Sequence, residues 1–235
     1  MEKHRVVSHA DWIAARKDFL AKEKEFTRMR DELSRQRREM PWERVEKNYV
    51  FDGPEGKVSL ADLFAGNSQL IVYHFMFDPG WDAGCKNCSF WADNYNPAVI
   101  YLNHRDANLV AISRAPLAKL EAYRKRMGWS FKWVSSGGND FNYDYHVSAN
   151  ADEVAKGEVN YNYRSLKTSN HERPGVSIFY KDADGNIFHT YSTYERGLDM
   201  LNGTYHLIDL LPKGRDEAGL QFTMSWVHRH DEYES

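Results

Sequence analysis

The stretch FDPGWDAGCKNCSFW, residues 77–91, contains the only two cysteines of the chain, Cys85 and Cys88, spaced as C-x-x-C. The apolar, aromatic run over residues 69–77 predicts a buried strand before the pair. Residues 89–102 predict a helix after it. A cysteine at the start of a helix meets unpaired backbone N–H groups and the positive end of the helix dipole, which favour its thiolate. The order strand, loop, C-x-x-C and helix is therefore typical of a dithiol redox centre.

Composition narrows the class of protein. The chain has 235 residues and a formal net charge of −3, from 31 basic and 34 acidic residues, which gives no bias towards nucleic acid. No apolar run approaches the ~20 residues of a membrane helix, and the start of the chain lacks the apolar stretch of a signal peptide. We therefore expect a cytoplasmic protein without nucleic-acid or membrane partners. In that compartment a lone cysteine pair is more often catalytic or metal-binding than structural.

The residues before Pro41 predict a long amphipathic helix with a narrow apolar seam. Ser8 and Asp11 resemble a capping box at its start. The seam residues recur every seven positions among charged or small residues: Trp12, Phe19, Phe26 and Leu33. The seam either packs on its own domain or pairs helices in a homodimer. We expect it to be buried, with a homodimer as the favoured arrangement.

The helix forms an N-terminal extension over residues 1–45, and strands and helices alternate in the domain after it, residues 46–235. Residues 49–60 predict a hairpin that turns at Gly53-Pro54, and Ser59 is placed to cap a short helix over residues 60–64. Residues 108–113 predict a second buried strand, and a helix over residues 117–127 follows it. Two buried strands joined through a helix favour a parallel βαβ unit.

The second half of the domain is expected to begin with a third strand at residues 129–134. Residues 135–173 show no regular strand or helix pattern, which indicates an insertion with one or two short elements. Pro174 precedes a strand at residues 176–180, and Asp184-Gly185 turns it into a partner strand at residues 187–192. A final helix over residues 197–211 is expected to break near Gly203.

This order is similar to the thioredoxin fold, an α/β fold with a central mixed sheet flanked by helices, here extended by the N-terminal helix and the insertion. In that fold a cis-proline begins the strand that faces the redox pair, and Pro174 stands at that place. The resemblance therefore implies a cis Arg173–Pro174 bond close to Cys85. Such a bond would expose backbone for antiparallel pairing with a substrate chain.

The chain is identified as a member of a mostly bacterial family, domain-of-unknown-function family 899, described as predicted dithiol-disulfide oxidoreductases. Its matching motifs run along nearly the whole chain: Tyr73-His74-Phe75-Met76-Phe77, Gly84-Cys85, Cys88-Ser89-Phe90-Trp91-Ala92-Asp93, Ser113-Arg114-Ala115-Pro116, Met127-Gly128-Trp129, Trp133-Val134-Ser135-Ser136, Asp140-Phe141-Asn142, Phe188-His189-Thr190-Tyr191-Ser192 and Gly214-Arg215-Asp216-Glu217. The resemblance implies the thioredoxin-like fold and a thiol-disulfide oxidoreductase activity.

The candidate reaction uses both cysteines. Cys85, at the loop–helix junction, is expected to attack the disulfide form of a thiol/disulfide substrate, a protein or a small molecule, and Cys88 to resolve the mixed disulfide. Cys88 lies one turn deeper in the helix, where desolvation favours its protonated form. Lys86 is expected to favour the Cys85 thiolate further. Pro174 completes the catalytic candidates, and the substrate-binding candidates are Trp81, Gly84, Lys86 and Trp91.

Three other interpretations stay open. A zinc site is disfavoured because a closed site needs four ligands and the chain has no second C-x-x-C, so no metal or cofactor is expected. A peroxiredoxin-like peroxidase would use Cys85 alone; Pro79 lies six residues before it, but the pattern Pro-x-x-x-Thr/Ser-x-x-Cys is absent. A non-catalytic thioredoxin-fold protein would bind its ligand through the insertion. The aromatic residues of the insertion either line a groove or form a satellite core: Phe141, Tyr143, Tyr145, Tyr161 and Tyr163.

Overall fold

A computed structural model describes residues 4–234 and divides the chain into two compact units, residues 1–41 and 42–235. The first unit is built on helix α1 (His9–Glu39). The Ser8 hydroxyl accepts a hydrogen bond from the Asp11 backbone N–H and donates one to the Asp11 carboxylate, as expected for a capping pair.

The apolar seam of α1 is exposed. No residue of the helix is buried, and Trp12, Phe19, Phe26 and Leu33 are between 53% and 62% exposed. The expected burial of this seam, with a homodimer as the favoured arrangement, therefore stays a prediction. One apolar residue per seven makes a narrow stripe, which needs a facing element to cover it.

Within its described residues, 42–234, the second unit contains ten strands. Eight of them form one sheet and the other two form a separate hairpin. The strands are β1 (Glu43–Arg44), β2 (Val50–Gly53), β3 (Gly56–Ser59), β4 (Gln69–His74), β5 (Ala107–Ser113), β6 (Lys132–Ser135), β7 (Glu158–Tyr161), β8 (Arg164–Lys167), β9 (Gly175–Lys181) and β10 (Ile187–Tyr194). The order in the large sheet is β1-β10-β9-β4-β5-β6-β2-β3, and β7 pairs with β8.

Helices connect these strands. They are α2 (Lys86–Tyr95), α3 (Val99–Asn103), α4 (Leu117–Arg126), α5 (Phe141–Asp144), α6 (Ala151–Lys156) and α7 (Gly203–Ile208). Short 3₁₀ helices cover Asp62–Phe64, Asn96–Ala98, Glu195–Leu201 and His230–Glu232. No described helix has the length and apolar character needed to span a bilayer.

The centre of the sheet has the thioredoxin topology. β4 runs parallel to β5 and antiparallel to β9, and β9 forms an antiparallel hairpin with β10. The chain thus supplies β4, α2 and β5 as a βαβ half, and β9, β10 and α7 as a ββα half. The predicted fold class is therefore confirmed.

Several predicted elements have different bounds in the structure. The helix after the cysteines begins at Lys86 and is interrupted at Asn96–Ala98, because Pro97 has no N–H to donate to the preceding turn. The third strand begins at Lys132. The insertion is richer than expected, with α5, α6 and the β7–β8 hairpin. The last helix breaks before Gly203, as predicted.

Two hydrophobic clusters cover the two faces of the sheet. On β4, Tyr73 belongs to the cluster that includes Trp91 of α2, whereas Val72 belongs to the cluster that includes Phe141 of α5. This division follows from the alternation of side chains along a strand. It places α2 and the cysteines on one face and the first helix of the insertion on the other.

Candidate active site

Cys85 is the N-cap residue of α2 and is partly exposed. Its backbone N–H donates to the carbonyl of Met76 at 3.1 Å, which ties the loop back to the end of β4. The Ser89 N–H and hydroxyl both donate to the Cys85 carbonyl at 3.0 Å. These contacts hold the thiol at the helix start, beside the N–H groups that have no partner within the helix.

Cys88 lies one turn further along α2 and is only 3% exposed. Its sulfur accepts the Met76 N–H at 3.5 Å, and its carbonyl accepts the Tyr73 hydroxyl at 3.1 Å. Burial is the main reason that the pKa of Cys88 is raised well above its ordinary value. Both cysteines are free thiols.

The pKa of Cys85 is shifted in the opposite direction, from 9.0 to about 7. The largest cause is the hydrogen bond from the Cys88 thiol, which stabilises the Cys85 thiolate. Partial burial opposes this effect, while the backbone N–H groups of Cys88 and Asn87 and the charge of Arg229 add to it. A substantial fraction of Cys85 is therefore ionised near neutral pH.

Arg229 places a positive charge near Cys85, and sequence reasoning missed it. Its Nη2 donates to the Gly84 carbonyl at 2.8 Å and its Nε to the Tyr123 hydroxyl at 2.6 Å. Its Nη1 pairs with Glu232 at 2.8 Å. The chain around Arg229 has no strand or helix pattern, so the sequence contained no signal for this contact.

Lys86 was expected to favour the Cys85 thiolate, and the structure corrects that expectation. The Lys86 ammonium donates to the Ser225 carbonyl at 3.1 Å. Its charge is not among the main causes that lower the pKa of Cys85, whereas that of Arg229 is. The ammonium is directed to the backbone of the C-terminal segment, since neighbouring residues of a helix point in different directions around its axis.

The two sulfurs open into a cleft of about 300 Å³. Its walls are mostly apolar, and its rim carries three charged residues of the 3₁₀ helix Glu195–Leu201. The indole N–H of Trp91 donates to the Leu198 carbonyl at 2.9 Å and fixes this wall. The lining residues are Tyr73, Met76, Cys85, Asn87, Cys88, Trp91, Pro174, Glu195, Arg196, Leu198, Asp199 and Met224.

Of the four substrate-binding candidates, Trp91 lines this cleft and the other three do not. Trp81 is partly buried against the core, and its carbonyl accepts the Lys119 ammonium at 2.8 Å. At Gly84 an added Cβ would lie 2.8 Å from the Phe75 ring. Gly84 therefore allows close packing beneath the cysteine loop and contributes no side chain to the cleft.

Pro174 lies in the cleft with both cysteines, but the peptide bond before it is trans, so the predicted cis bond is wrong. The preceding Arg173 N–H donates to the Val147 carbonyl at 2.8 Å. The insertion thus holds this segment extended, and the trans form preferred by ordinary X-Pro bonds suits that path.

His74 and His189, which lie in strands β4 and β10, are on the face of the sheet opposite to Tyr73. His74 is buried, and its Nε2 lies 2.7 Å from the Ser177 hydroxyl. The Ser192 hydroxyl lies 2.7 Å from the Ser177 hydroxyl and 2.7 Å from His189 Nε2, so hydrogen bonds link the two histidines through the two serines. Burial lowers the pKa of His74 from 6.5 to about 3, so this histidine is neutral. It is a hydrogen-bonded core residue, away from the cysteines.

The C-terminal histidines, His228 and His230, have separate hydrogen-bond partners. His230 Nδ1 lies 2.8 Å from the Asp93 carboxylate, while the His228 backbone N–H donates to the Tyr233 hydroxyl at 3.0 Å. Within residues 4–234, no group of three or more His, Cys, Asp or Glu side chains is arranged to hold a metal ion.

The sheet topology and the paired thiols at the start of α2 define a thioredoxin-fold protein with a C-x-x-C site. The model of the family described as "Bacterial protein of unknown function (DUF899)" matches residues 1–233. The chain belongs to this family. A search of curated proteins found no match.

Solved structures similar to this chain include a mutant of peroxiredoxin Q from Xanthomonas campestris, at 12% identity, with a TM-score of 0.45 and coverage of 67% of this chain and 90% of that one. Peroxidoxin BcpB from Mycobacterium tuberculosis, also at 12% identity, has a TM-score of 0.46 and coverage of 72% and 98%. The mitochondrial 2-Cys peroxiredoxin from Plasmodium falciparum, at 12% identity, has a TM-score of 0.41 and coverage of 72% and 94%.

Proposed function

We propose that the protein is a thiol-disulfide oxidoreductase in which Cys85 is the attacking thiolate and Cys88 the resolving thiol. The observation that carries this proposal is the contrast between two thiols in one cleft. Cys85 is partly exposed with its pKa lowered to about 7, whereas Cys88 is buried with its pKa raised. One thiol is therefore ready to attack near neutral pH, and the other stays protonated beside it.

The reaction begins when the Cys85 thiolate attacks one sulfur of a substrate disulfide. A Cys85–substrate disulfide forms, and the other substrate sulfur leaves as a thiolate that takes up a proton. Cys88 then attacks the Cys85 sulfur, and its proton passes to the departing substrate sulfur. The second substrate thiol is released, and a Cys85–Cys88 disulfide remains. Two electrons have moved from the dithiol to the substrate, and the reverse sequence oxidises a substrate dithiol.

The site contains groups suited to each step. In the first step, the hydrogen bond from the Cys88 thiol and the N–H groups of the first turn stabilise the charge on Cys85. In the second step, forming the mixed disulfide removes that charge, so the Cys88 proton is no longer held by the Cys85 thiolate. The short spacing within one helical turn then makes the attack intramolecular.

Trapping of the mixed disulfide tests this assignment. Cys88→Ser, incubated with a small disulfide, should accumulate one substrate moiety on Cys85, detected by intact-mass spectrometry and removed by a reductant. Cys85→Ser should accumulate none on the same time scale. Equal labelling of both variants, or faster labelling at Cys88, would contradict the assignment. Rapid consumption of peroxide by Cys85 in the absence of Cys88 would favour the peroxidase instead.

A further inference from the structure

The backbone immediately before Pro174 is already paired with the insertion. The Ala149 N–H donates to the His171 carbonyl, and the Arg173 N–H donates to the Val147 carbonyl, both at 2.8 Å. Ser148 and Glu172 form an antiparallel bridge between these two bonds. The segment that leads into the cleft thus has a strand-like partner from its own chain.

The Tyr161 side chain hydrogen-bonds to the next backbone carbonyl of this segment, that of Pro174. Its hydroxyl donates to the Pro174 carbonyl at 2.6 Å and accepts the Glu195 N–H at 3.2 Å. The tyrosine is 2% exposed, and its ring packs edge-on against Tyr194 at 5.3 Å. The hydroxyl therefore provides a hydrogen-bond partner for the Pro174 carbonyl and for the Glu195 N–H at the rim of the cleft.

These contacts affect the kind of substrate that fits. An extended polypeptide binds a sheet protein by making main-chain hydrogen bonds along an open backbone segment. Beside Cys85 the Pro174 carbonyl is engaged by Tyr161, and the preceding residues are paired with the insertion. A polypeptide could pair here only by displacing bonds that already exist.

The volume of the cleft suits a small molecule. Its volume of about 300 Å³ is at the lower end of the usual range for ligand pockets, ≈ 300–1,000 Å³. All three of its charged rim residues are paired within the chain: Glu195 with Arg164, and Asp199 with both Arg196 and Arg215. The side-chain oxygen of Asn87, which lines the cleft beside the cysteines, is buried without a hydrogen-bond partner. A ligand with an N–H donor would satisfy it.

We propose that the substrate of this site is a low-molecular-weight disulfide that carries N–H donors, such as that of an amino-acid thiol, and that Tyr161 excludes polypeptide substrates. This inference rests on the proposed disulfide exchange at Cys85 and Cys88. Tyr161 is a specificity-determining residue in this account: it does not touch the sulfurs, and it acts through the Pro174 carbonyl and the Glu195 N–H.

The test compares rates of oxidation of the fully reduced protein. Second-order rate constants are measured by stopped-flow tryptophan fluorescence, with loss of free thiols as a check, for cystine, for hydroxyethyl disulfide, which has no N–H group, and for insulin. The wild-type protein should react with cystine at least tenfold faster than with insulin. It should also react faster with cystine than with hydroxyethyl disulfide, and Asn87→Ala should remove that second preference.

Tyr161→Phe should raise the rate with insulin severalfold and leave the rate with cystine unchanged. Tyr163→Phe is the matched control, because its hydroxyl in the same hairpin donates to the Ser192 carbonyl and not to Pro174. A purely structural role for Tyr161 would change both rates together, so melting temperatures are recorded for both variants.

The outcomes separate the two proposals. Failure of every disulfide to oxidise the cysteine pair would overturn the proposed function. Insulin reacting as fast as cystine, or Tyr161→Phe leaving the ratio of the two rates unchanged, would overturn the substrate assignment alone. Equal rates with cystine and hydroxyethyl disulfide would overturn the role of Asn87 and of the N–H donor.

Discussion

At the scale of single residues, Cys88 controls the charge on Cys85. Because its thiol hydrogen bond is the largest cause of the lowered pKa, Cys88→Ala should raise the pKa of Cys85 from about 7 towards 9.0. Cys88→Ser retains a hydroxyl donor and should raise the pKa less. The pH dependence of alkylation of Cys85 by iodoacetamide measures both values. An unchanged midpoint in Cys88→Ala would show that another group holds the thiolate.

Arg229 makes a smaller contribution of the same sign. Arg229→Gln removes a charge that lowers the pKa of Cys85 and weakens the contacts to Gly84 and Tyr123. The alkylation midpoint should therefore rise, by less than in Cys88→Ala. Lys86→Gln is the control and should leave the midpoint in place, since Lys86 bonds to Ser225. The opposite ranking of the two variants would restore the role first expected of Lys86.

The sequence predicted some of these residues and not others, for a physical reason. The position of the cysteines at a helix start is a local property, as is the capping of α1 by Ser8. The contact between Arg229 and Gly84 joins residues 145 positions apart. Only the tertiary fold brings such groups together, and the chain around Arg229 has no periodic pattern to indicate its path.

At the scale of elements, the insertion determines the form of the segment before β9. The thioredoxin resemblance implied a cis-proline with open backbone at Pro174. The strand position was predicted because residues 176–180 are β-branched or aromatic in large part, and β9 does run there. The trans bond could not be foreseen, because it depends on pairing with residues 147–149, which the sequence pattern did not assign to any strand.

Glu172, in this same segment, makes stability depend on pH. Burial raises its pKa from 4.5 to about 7, against the Ser148 hydrogen bond and the Arg114 charge. Between these values the folded protein keeps a proton that the unfolded chain has lost. The stabilisation is complete below pH 4.5 and is lost as pH rises through about 7, by on the order of 3 kcal/mol.

Glu172→Gln should remove the part of the pH dependence of stability that Glu172 causes. The free energy of unfolding, from urea titrations at pH 5 and pH 8, should fall less towards pH 8 in the variant than in the wild type. Glu153→Gln, in the exposed capping box of α6, is a control that should retain the wild-type difference between the two pH values. A wild-type difference that persists in Glu172→Gln would assign the pH dependence to other groups.

At the scale of the whole molecule, the core of the fold was readable from the sequence because its strands are continuous apolar runs bounded by turn residues. Strands such as β4 and β5 are largely buried on both faces, and their central residues, 70–73 and 109–112, form apolar runs. The edge strand β1 was harder to predict than the hairpin at the other edge of the sheet. β1 has two residues, and its pairing with β10 is a tertiary contact without a local pattern.

The α1 seam belongs to this scale because it concerns assembly. We propose that the exposed seam pairs with a second copy of the chain, since its heptad spacing suits helix pairing and exposed apolar rows favour association. Light scattering should give twice the chain mass for the wild type and the single chain mass for a Phe19→Ser, Phe26→Ser double variant. Lys17→Ser with Lys24→Ser, on the same helix, should remain dimeric. A monomeric wild type would contradict the proposal.

The central claim is that Cys85 and Cys88 form a reversible redox pair, and equilibration against glutathione buffers tests it most directly. The protein is poised at a series of ratios of reduced to oxidised glutathione, quenched in acid, alkylated and weighed by mass spectrometry. The account predicts that both thiols are lost together in one two-electron transition, as an intramolecular disulfide with no bound glutathione at equilibrium. Two free thiols at every ratio, or stable glutathione adducts on one cysteine in place of the disulfide, would contradict it.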